Sequence, residues 1–352
     1  MFDGSASRKI QPLLVDVVST VEFIKSVQKN NGEIPWSPGG KTDPWDHVES
    51  AMGLTVGGCT KEAKNAYLWS YDTQLKDGSW WAYYKNGKPE DNTYKDTNMT
   101  SYIAVGVYHY YLTTGDKKFL FEIWPCIEKA VEYTINKQGT EGQMYWAETK
   151  DGKTDKRALL TGSSSIYLSL NCAIKMAGIL GYKKSDWEAS RMWLGKAIHC
   201  KSHLFDNSKS NFSMDWYYPI LCGIITGQKA EKRLQKYWDI FAVKDWGIKC
   251  VSDRPWVTMA ETAELVMTLV ALGKITEAEI VFSWIQDKKY ENGAYWMGVT
   301  YPDWVIYTDE QTAWTGAAVL LAADMIYCLT PGHMLFKHGF LKPHRFMYSL
   351  KN

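Results

Sequence analysis

The stretch that decides the fold is Asn292-Gly-Ala-Tyr-Trp-Met-Gly-Val-Thr-Tyr-Pro-Asp-Trp304, which runs on into Tyr307-Thr-Asp-Glu-Gln-Thr-Ala-Trp-Thr-Gly-Ala-Ala-Val-Leu-Leu-Ala322. It reads as a glycine-aromatic turn, an aromatic loop, two adjacent carboxylates and an apolar helix. Clear copies of the turn stand at Gly32-Glu-Ile-Pro-Trp36, Gly78-Ser-Trp-Trp81 and Gly142-Gln-Met-Tyr-Trp146. Weaker ones stand at Asn211-Phe-Ser-Met-Asp-Trp216 and Asp245-Trp-Gly-Ile248.

A second signal alternates with the first. Apolar runs end in glycine and restart in polar residues, as at Leu112-Thr-Thr-Gly-Asp-Lys-Lys-Phe119 and Val270-Ala-Leu-Gly-Lys-Ile-Thr-Glu-Ala278. Glycine there is the left-handed stop of one helix, and the polar residues open the next. Twelve helices of two kinds follow. Six are amphipathic: 15–28, 61–75, 117–137, 185–198, 230–241 and 276–286. Six are apolar nearly all round: 47–56, 98–112, 163–180, 216–225, 259–272 and 310–328. Helices of the second kind must be buried on every side. The pattern predicts an all-α ring of six hairpins, with apolar helices inside and charged ones outside. The repeat of roughly fifty residues lies in the range of arrays and closed rings. An open helical solenoid is the alternative. Residues 1–330 form one toroid domain on this reading, and 331–352 a tail that packs across one end.

Composition narrows the function. The 352 residues carry a net charge of +1 with no basic patch, which argues against nucleic acid. No apolar stretch is long enough to span a membrane, and the N-terminal residues lack a secretory pattern. Seven scattered cysteines read as buried thiols in a reducing compartment, so a cytoplasmic protein is expected. The aromatic content, 17 Trp and 22 Tyr, stands out. Such rings suit sugar faces, and they also fill cores.

The whole chain resembles the six-hairpin glycosidases, the (α/α)6 barrels that include glucoamylase-type enzymes. It is also similar to the α-α toroid of terpenoid cyclases and protein prenyltransferases. The first resemblance implies a glycoside hydrolase acting on an oligosaccharide or glycoconjugate. The second implies an apolar isoprenoid ligand, and a noncatalytic helical scaffold is a third reading. The cyclase Asp-x-Asp-Asp motif is missing, since Asp43-Pro-Trp-Asp46 does not fit it, and His47 has no nearby cysteine for a prenyltransferase zinc. No phosphate-cradling loop, nucleophile elbow or metal-spaced histidine pair is present, so no cofactor and no metal are expected.

In a ring of this kind the residues just before each inner helix face a common mouth. The acid-base candidates are Asp46, Asp309 and Glu310, then Asp43, Asp96 and Glu148. Glycoside hydrolysis needs one carboxylic acid to protonate the leaving oxygen and a second carboxylate opposite it. Glucoamylase-like enzymes place these in the third and sixth hairpin loops, which by position points to Glu148 and the Asp309–Glu310 pair. Trp36, Trp45, His47, Trp81, Trp146, Asp215, Trp256, Trp296 and Trp304 are the expected substrate contacts. Helix capping competes with catalysis at each acid. Asp46-x-x-Glu49, Thr258-x-x-Glu261 and Thr308-x-x-Gln311 read as capping boxes, and Glu261 is set aside as a cap. His109, between two tyrosines in an apolar helix, reads as a hydrogen-bonded core residue.

Overall fold

The computed structural model describes residues 16–91 and 93–341. Along the chain, outer and inner helices alternate: α1 (Val17–Val27) and α2 (Pro44–Val56), α3 (Thr60–Thr73) and α4 (Thr97–Ser101) with α5 (Ile103–Thr114), α6 (Lys117–Ile135) and α7 (Leu160–Leu180). The second half repeats the scheme with α8 (Ser185–Cys200) and α9 (Ser213–Leu221), α10 (Gly227–Phe241) and α11 (Met259–Ala271), α12 (Ile275–Ser283) and α13 (Ala313–Tyr327). The second inner helix is therefore split at Tyr102, which caps α4 and opens α5.

Inner helices touch in sequence: α2 meets α5, α5 meets α7, α7 meets α9, α9 meets α11, α11 meets α13 and α13 meets α2. The ring is closed, so the structure is an (α/α)6 toroid and the open solenoid is excluded. Small residues allow the closure. A Cβ on Gly53 of α2 would come within 2.7 Å of the Ala317 Cβ of α13. The inner helices are buried on all sides, as their sequences require: every residue of α11 is buried.

The glycine-aromatic turns hold each hairpin to the next. Gly32 has φ +93, and a Cβ there would stand 2.2 Å from the Asn65 carbonyl oxygen of α3. Only glycine allows both the left-handed backbone and the approach. Gly78 presses on Lys129 of α6 and Gly142 on Trp193 of α8 in the same way. Gly293 presses on Ser19 of α1, so the sixth turn closes onto the first outer helix. A side chain four residues upstream spans each junction. The Gln28 amide donates to the Gly32 and Glu62 carbonyls, Gln74 to Gly78 and Cys126, and Gln138 to Gly142 and Ser190. At the last junction Lys289 takes this place, with its ammonium 3.1 Å from Asp16.

Loops between outer and inner helices carry short strands that sequence periodicity did not show. A hairpin pairs β1 (Tyr84–Lys85) with β2 (Lys88–Pro89). A three-stranded sheet joins β3 (Tyr94–Asp96), β4 (Ala147–Thr149) and β5 (Thr154–Asp155). A four-stranded sheet joins β6 (Ala242–Val243), β7 (Gly247–Lys249), β8 (Trp256–Thr258) and β9 (Gly298–Thr300) in that order. Strands β3 and β8 lead straight into α4 and α11, which sets the register of those helix starts.

Several local expectations are corrected. The last inner helix begins at Ala313 behind Thr312, not at Glu310, so neither Thr308 nor Asp309 caps it. The cap of α2 is Asp43, with Pro44 in the first turn, and not Asp46. Thr258 makes no side-chain cap bond, so the box with Glu261 does not form. His109 is buried, yet neither ring nitrogen has a hydrogen-bond partner, and Asp324 stands 4.0 Å away. All seven cysteines are free. Cys126, Cys172 and Cys222 are buried, whereas Cys200 and Cys328 are exposed. After α13 a short 3-10 turn, Pro331–Met334, packs on α5 and α13. Val15, the expected start of the first helix, and residues 342–352 of the expected tail lie outside the described residues.

Candidate active site

The first turns of all six inner helices open into one cavity of about 370 Å³. Helix α2 supplies Trp45, Asp46 and Glu49, with Asp43 as its cap, and α4 supplies Asn98 and Met99, with Asp96 as its cap. Thr161 and Gly162 come from α7, Met214 and Asp215 from α9, Glu261 and Glu264 from α11, and Trp314 from α13. The loops add Trp36, Tyr83, Trp146, Leu159, Lys209 and Phe212. Trp45 stacks on Tyr102 at 4.9 Å, and Lys41 lies over both Trp36 and Tyr83 at 4.2 and 4.0 Å. The result is an aromatic cup with seven carboxylates and, among its described lining residues, one cation, Lys209.

Five of the seven carboxylates are held by N–H or O–H donors. Asp43 accepts the Asp46 backbone N–H at 2.9 Å and the Trp36 indole N–H. Asp96 accepts the N–H groups of Asn98 and Met99 at 2.8 and 3.0 Å, and the Trp146 indole. Asp215 accepts the Thr161 N–H and hydroxyl, at 3.1 and 2.6 Å. Glu49 accepts the Trp45 indole N–H at 3.0 Å, and Glu264 accepts the Tyr217 hydroxyl. Asp46 and Glu261 are different. The Asp46 carboxyl meets only its neighbour Asp43, and Glu261 meets the Cys250 thiol, a weak donor.

Burial and crowding of like charges favour protonated acids here. Burial, then the Asp43 and Glu49 carboxylates, push Asp46 well above the usual range. Burial raises Asp43 as well, against the two N–H groups that stabilise its charge. Glu49 rises to about 7 and Asp96 to about 6, both chiefly through burial. Glu264 is pushed well up by burial and by Glu49. Two polar atoms on the cavity wall have no protein partner among the described residues: the Trp314 indole N–H and the Asn98 side-chain oxygen. Buried groups of this kind are available to a ligand.

The expected site residues divide sharply. Asp43, Asp46, Asp96, Asp215, Trp36, Trp45 and Trp146 line the cavity. Glu148 does not: on β4 opposite Lys95, it is paired with Lys95 at 3.0 Å and with Lys137. Those lysines hold its carboxyl below the usual value despite partial burial. Asp309 is exposed and accepts the Tyr290 hydroxyl at 2.9 Å; Glu310 accepts the Ser37 hydroxyl at 2.6 Å. Neither lines the cavity, because α13 starts three residues later than expected.

His47 faces the wrong way for a ligand. Its Nδ1 accepts the Ile34 N–H at 3.1 Å and its Nε2–H donates to the Ala66 carbonyl at 2.9 Å, so it ties α2 to α3. Burial lowers it to about 4 and keeps it neutral. Trp81 lies outside the cup between Lys95 and Lys150, and Trp256, Trp296 and Trp304 lie on the outer loops.

Glu49 and Glu261, read from sequence as capping-box partners, line the cavity, as do Glu264, Tyr83 and Trp314, which the sequence reading missed. A signal existed for the acids. Asp46 with Glu49, and Glu261 with Glu264, are pairs three residues apart on otherwise apolar helices, hence on one face. A buried helix has no reason to carry such a pair unless that face meets a cavity.

A closed toroid whose inner-helix starts gather paired acids and aromatic rings offers the groups that a glycoside hydrolase requires. Comparison with known proteins agrees. The chain is 43% identical over 318 residues, 90% of its own length and 88% of the relative's, to the MMP endo-(1,4)-3-O-methyl-alpha-D-mannosidase of Mycolicibacterium hassiacum. It belongs to the family of that mannosidase. Its fold superposes on a GH63 mannosylglycerate hydrolase from Thermus thermophilus with a TM-score of 0.70 at 11% identity, covering 88% of this chain and 99% of that one. A wild-type glycosidase matches with a TM-score of 0.69 at 14% identity, covering 93% and 100%. No protein-family profile matches the chain. Among the described residues no helix is long and apolar enough to cross a membrane.

Proposed function

We propose that this glycoside hydrolase cleaves internal 1,4-linkages of an α-mannan bearing 3-O-methyl groups, with Asp46 as the general acid and Glu261 as the partner carboxylate. The observation that carries the residue assignment is the division of donors around the cavity. Five carboxylates are held by protein N–H and O–H groups, and these two are left facing the space a sugar would fill. They sit on the first turns of α2 and α11, which both pack against α13.

Asp46 suits the acid role because burial and three neighbouring carboxylates keep its proton on. In the reaction the Asp46 proton passes to the glycosidic oxygen as the bond from that oxygen to the anomeric carbon breaks. Glu261, on α11 at the other side of α13, stabilises the developing positive charge on the ring, and water then supplies the hydroxyl that bonds to the anomeric carbon and returns a proton to the carboxylate pair. Asp43 accepts a hydrogen bond from the Asp46 carboxyl and so orients it.

The substrate assignment rests on the relative's name and on the lining. A 3-O-methyl group removes a hydroxyl donor and adds an apolar surface, and Met99, Leu159, Phe212 and Met214 provide apolar wall for it. The unpaired Trp314 N–H can donate to an ether oxygen, and the Asn98 oxygen can accept from a free hydroxyl. We also place the protein in the cytoplasm, a reading supported by its free, largely buried or half-buried thiols, and treat residues 1–330 as one folding unit, supported by the closed ring of contacts.

The test is hydrolysis of 3-O-methylated and unmethylated α-1,4-mannan oligosaccharides by the wild type and by Asp46→Asn and Glu261→Gln. Internal cleavage of the methylated chain, lost in both variants, supports the proposal. Preference for the unmethylated chain, or full activity in either variant, overturns it.

A further inference from the structure

Outside the cavity lies an aromatic cluster whose inner members, Trp246 and Tyr301, pack on the core and whose outer members, Trp304 and Tyr307, stay exposed. Trp246, in the turn before β7, and Trp304, in the turn after β9, stack face to face at 3.9 Å with their planes 9° apart. Tyr301 lies alongside Trp304 at 6.1 Å. Trp304 remains 37% exposed, Val305 56% and Tyr307 55%. Two loops from different hairpins are therefore needed to build the stack.

Both loops are held in unfavourable backbone. Trp304 has φ +54, and Asp245, next to Trp246, has φ +67. A bulky residue in left-handed backbone is strained, and such strain persists where function selects for it. Apolar burial would turn these rings inward. Here the strained turns display them instead.

Two hydrogen bonds tie the segment that carries these rings to elements of the active-site cavity. The Trp256 indole N–H donates to the Tyr307 carbonyl, and its ring meets Tyr307 edge-on at 5.9 Å. Trp256 begins β8, the strand that runs into α11 and Glu261. On the other side, Glu310 accepts the hydroxyl of Ser37, the neighbour of the cavity-lining Trp36. The segment from Tyr301 to Glu310 is thus bonded to the strand that leads into α11 and to the chain neighbour of Trp36. Lys288, 5.0 Å from the Trp246 ring, adds a hydrogen-bond donor beside it.

We infer that Trp304, Trp246 and Tyr307 form a second carbohydrate-binding site, a surface platform that holds the part of a polymeric hexose chain lying beyond the catalytic cavity. This rests on the polymer-cleaving reading above. A cavity of about 370 Å³ is near the small end of ligand sites, roughly 300–1,000 Å³, and takes only a short stretch of such a chain. The C–H faces of pyranose rings, made more apolar by O-methyl groups, match the exposed aromatic surface of Trp304 and Tyr307, with Trp246 stacked behind Trp304.

The test uses the full-length protein carrying Glu261→Gln, so that binding is read without turnover. Affinity for a 3-O-methylated α-1,4-mannan polymer is measured by gel retardation, and affinity for its tetrasaccharide by calorimetry. Adding Trp304→Ala is expected to weaken polymer binding roughly tenfold, and tetrasaccharide binding less than twofold. Tyr307→Ala, at an exposed position, is expected to act in the same direction, and unchanged melting temperatures of both variants guard against a folding defect. Equal affinities for the polymer with and without the platform residues overturn the inference, as does a parallel loss on both ligands. If active wild-type enzyme cleaves the polymer and its Trp304→Ala and Tyr307→Ala variants cleave it equally well, the platform alone fails. If the wild type cleaves neither polymer nor tetrasaccharide, the polymer-cleaving reading fails, and the platform with it.

Discussion

Asp43 and Asp46 stand three residues apart in the first turn of α2, and one carboxylate serves the other twice. Asp43 accepts the Asp46 backbone N–H at 2.9 Å as the helix cap, and it also meets the Asp46 carboxyl in a shared-proton contact. The group that starts the helix thereby also raises the proton affinity of the group proposed as the acid. On that proposal, capping and catalysis, alternatives from sequence, are divided between neighbours.

Replacement of the two unheld carboxylates tests the core of the assignment. Asp46→Asn and Glu261→Gln should each lower kcat by roughly 10²–10⁴-fold. Their melting temperatures should stay level or rise, because each substitution removes an acidic group from a crowded cluster of carboxyls. Single-turnover kinetics with calorimetry reads both. A large loss of stability in either variant would assign that acid to the fold.

Asp43→Asn separates the two duties of the cap. Asparagine caps about as well as aspartate, so stability should change by less than about 1 kcal/mol. The Asp43 charge helps keep the Asp46 proton in place, and without it Asp46 ionises at lower pH. The alkaline limb of the kcat/KM profile should therefore move to lower pH. An unmoved limb would mean that Asp46 is not the acid.

Glu49 makes a pH-dependent prediction about stability. Its carboxyl rises from 4.5 to about 7 on folding, mainly through burial. The folded state thus binds the proton more tightly, and stability falls as pH rises from 4.5 through 7. Glu49→Gln can still accept the Trp45 indole N–H, and it should raise Tm at pH 8 while leaving it nearly unchanged at pH 4. Thermal unfolding at the two pH values checks this.

The acids outside the cavity should be dispensable for chemistry. Glu148→Gln, Asp309→Asn and Glu310→Gln should each leave kcat/KM within roughly twofold of the wild type, a small difference in transition-state free energy. A loss of a hundredfold in any of them would move the reaction centre away from α2 and α11.

Gly293→Ala tests the closure of the ring. The added Cβ would lie 2.2 Å from the Ser19 carbonyl, in backbone with φ +90. Gly58→Ala is the control: φ is +77, but nothing lies within 4 Å of the new Cβ. Backbone strain alone costs roughly 1–3 kcal/mol. Gly293→Ala should cost more than Gly58→Ala, and the difference, read from denaturant unfolding, measures the contact between the sixth hairpin and the first.

The architecture was legible because it follows from periodicity and punctuation. Runs such as Ala313–Tyr327, apolar on every side, have no stable place except inside a shell of amphipathic helices. The glycine-aromatic turns repeat because each hairpin presses on the next at the same point. The site was legible only in part. Asp43, Asp46 and Asp96 could be found from their places at helix starts. Glu261 was mistaken for a cap, because Thr-x-x-Glu has the same spacing whether or not the threonine turns to use it.

By itself the sequence determined the ring of hairpins, the inner and outer faces and the end of the ring at which chemistry gathers. These depend on local spacing, which the chain carries residue by residue. The tertiary structure alone decided which acids share a cavity. That choice turned on a three-residue difference in where α13 begins, on two lysines that reach Glu148 from Lys95 and Lys137, and on the strand that sets the start of α11. None of these follows from local spacing, and the reactivity of a carboxylate depends on its neighbours in space.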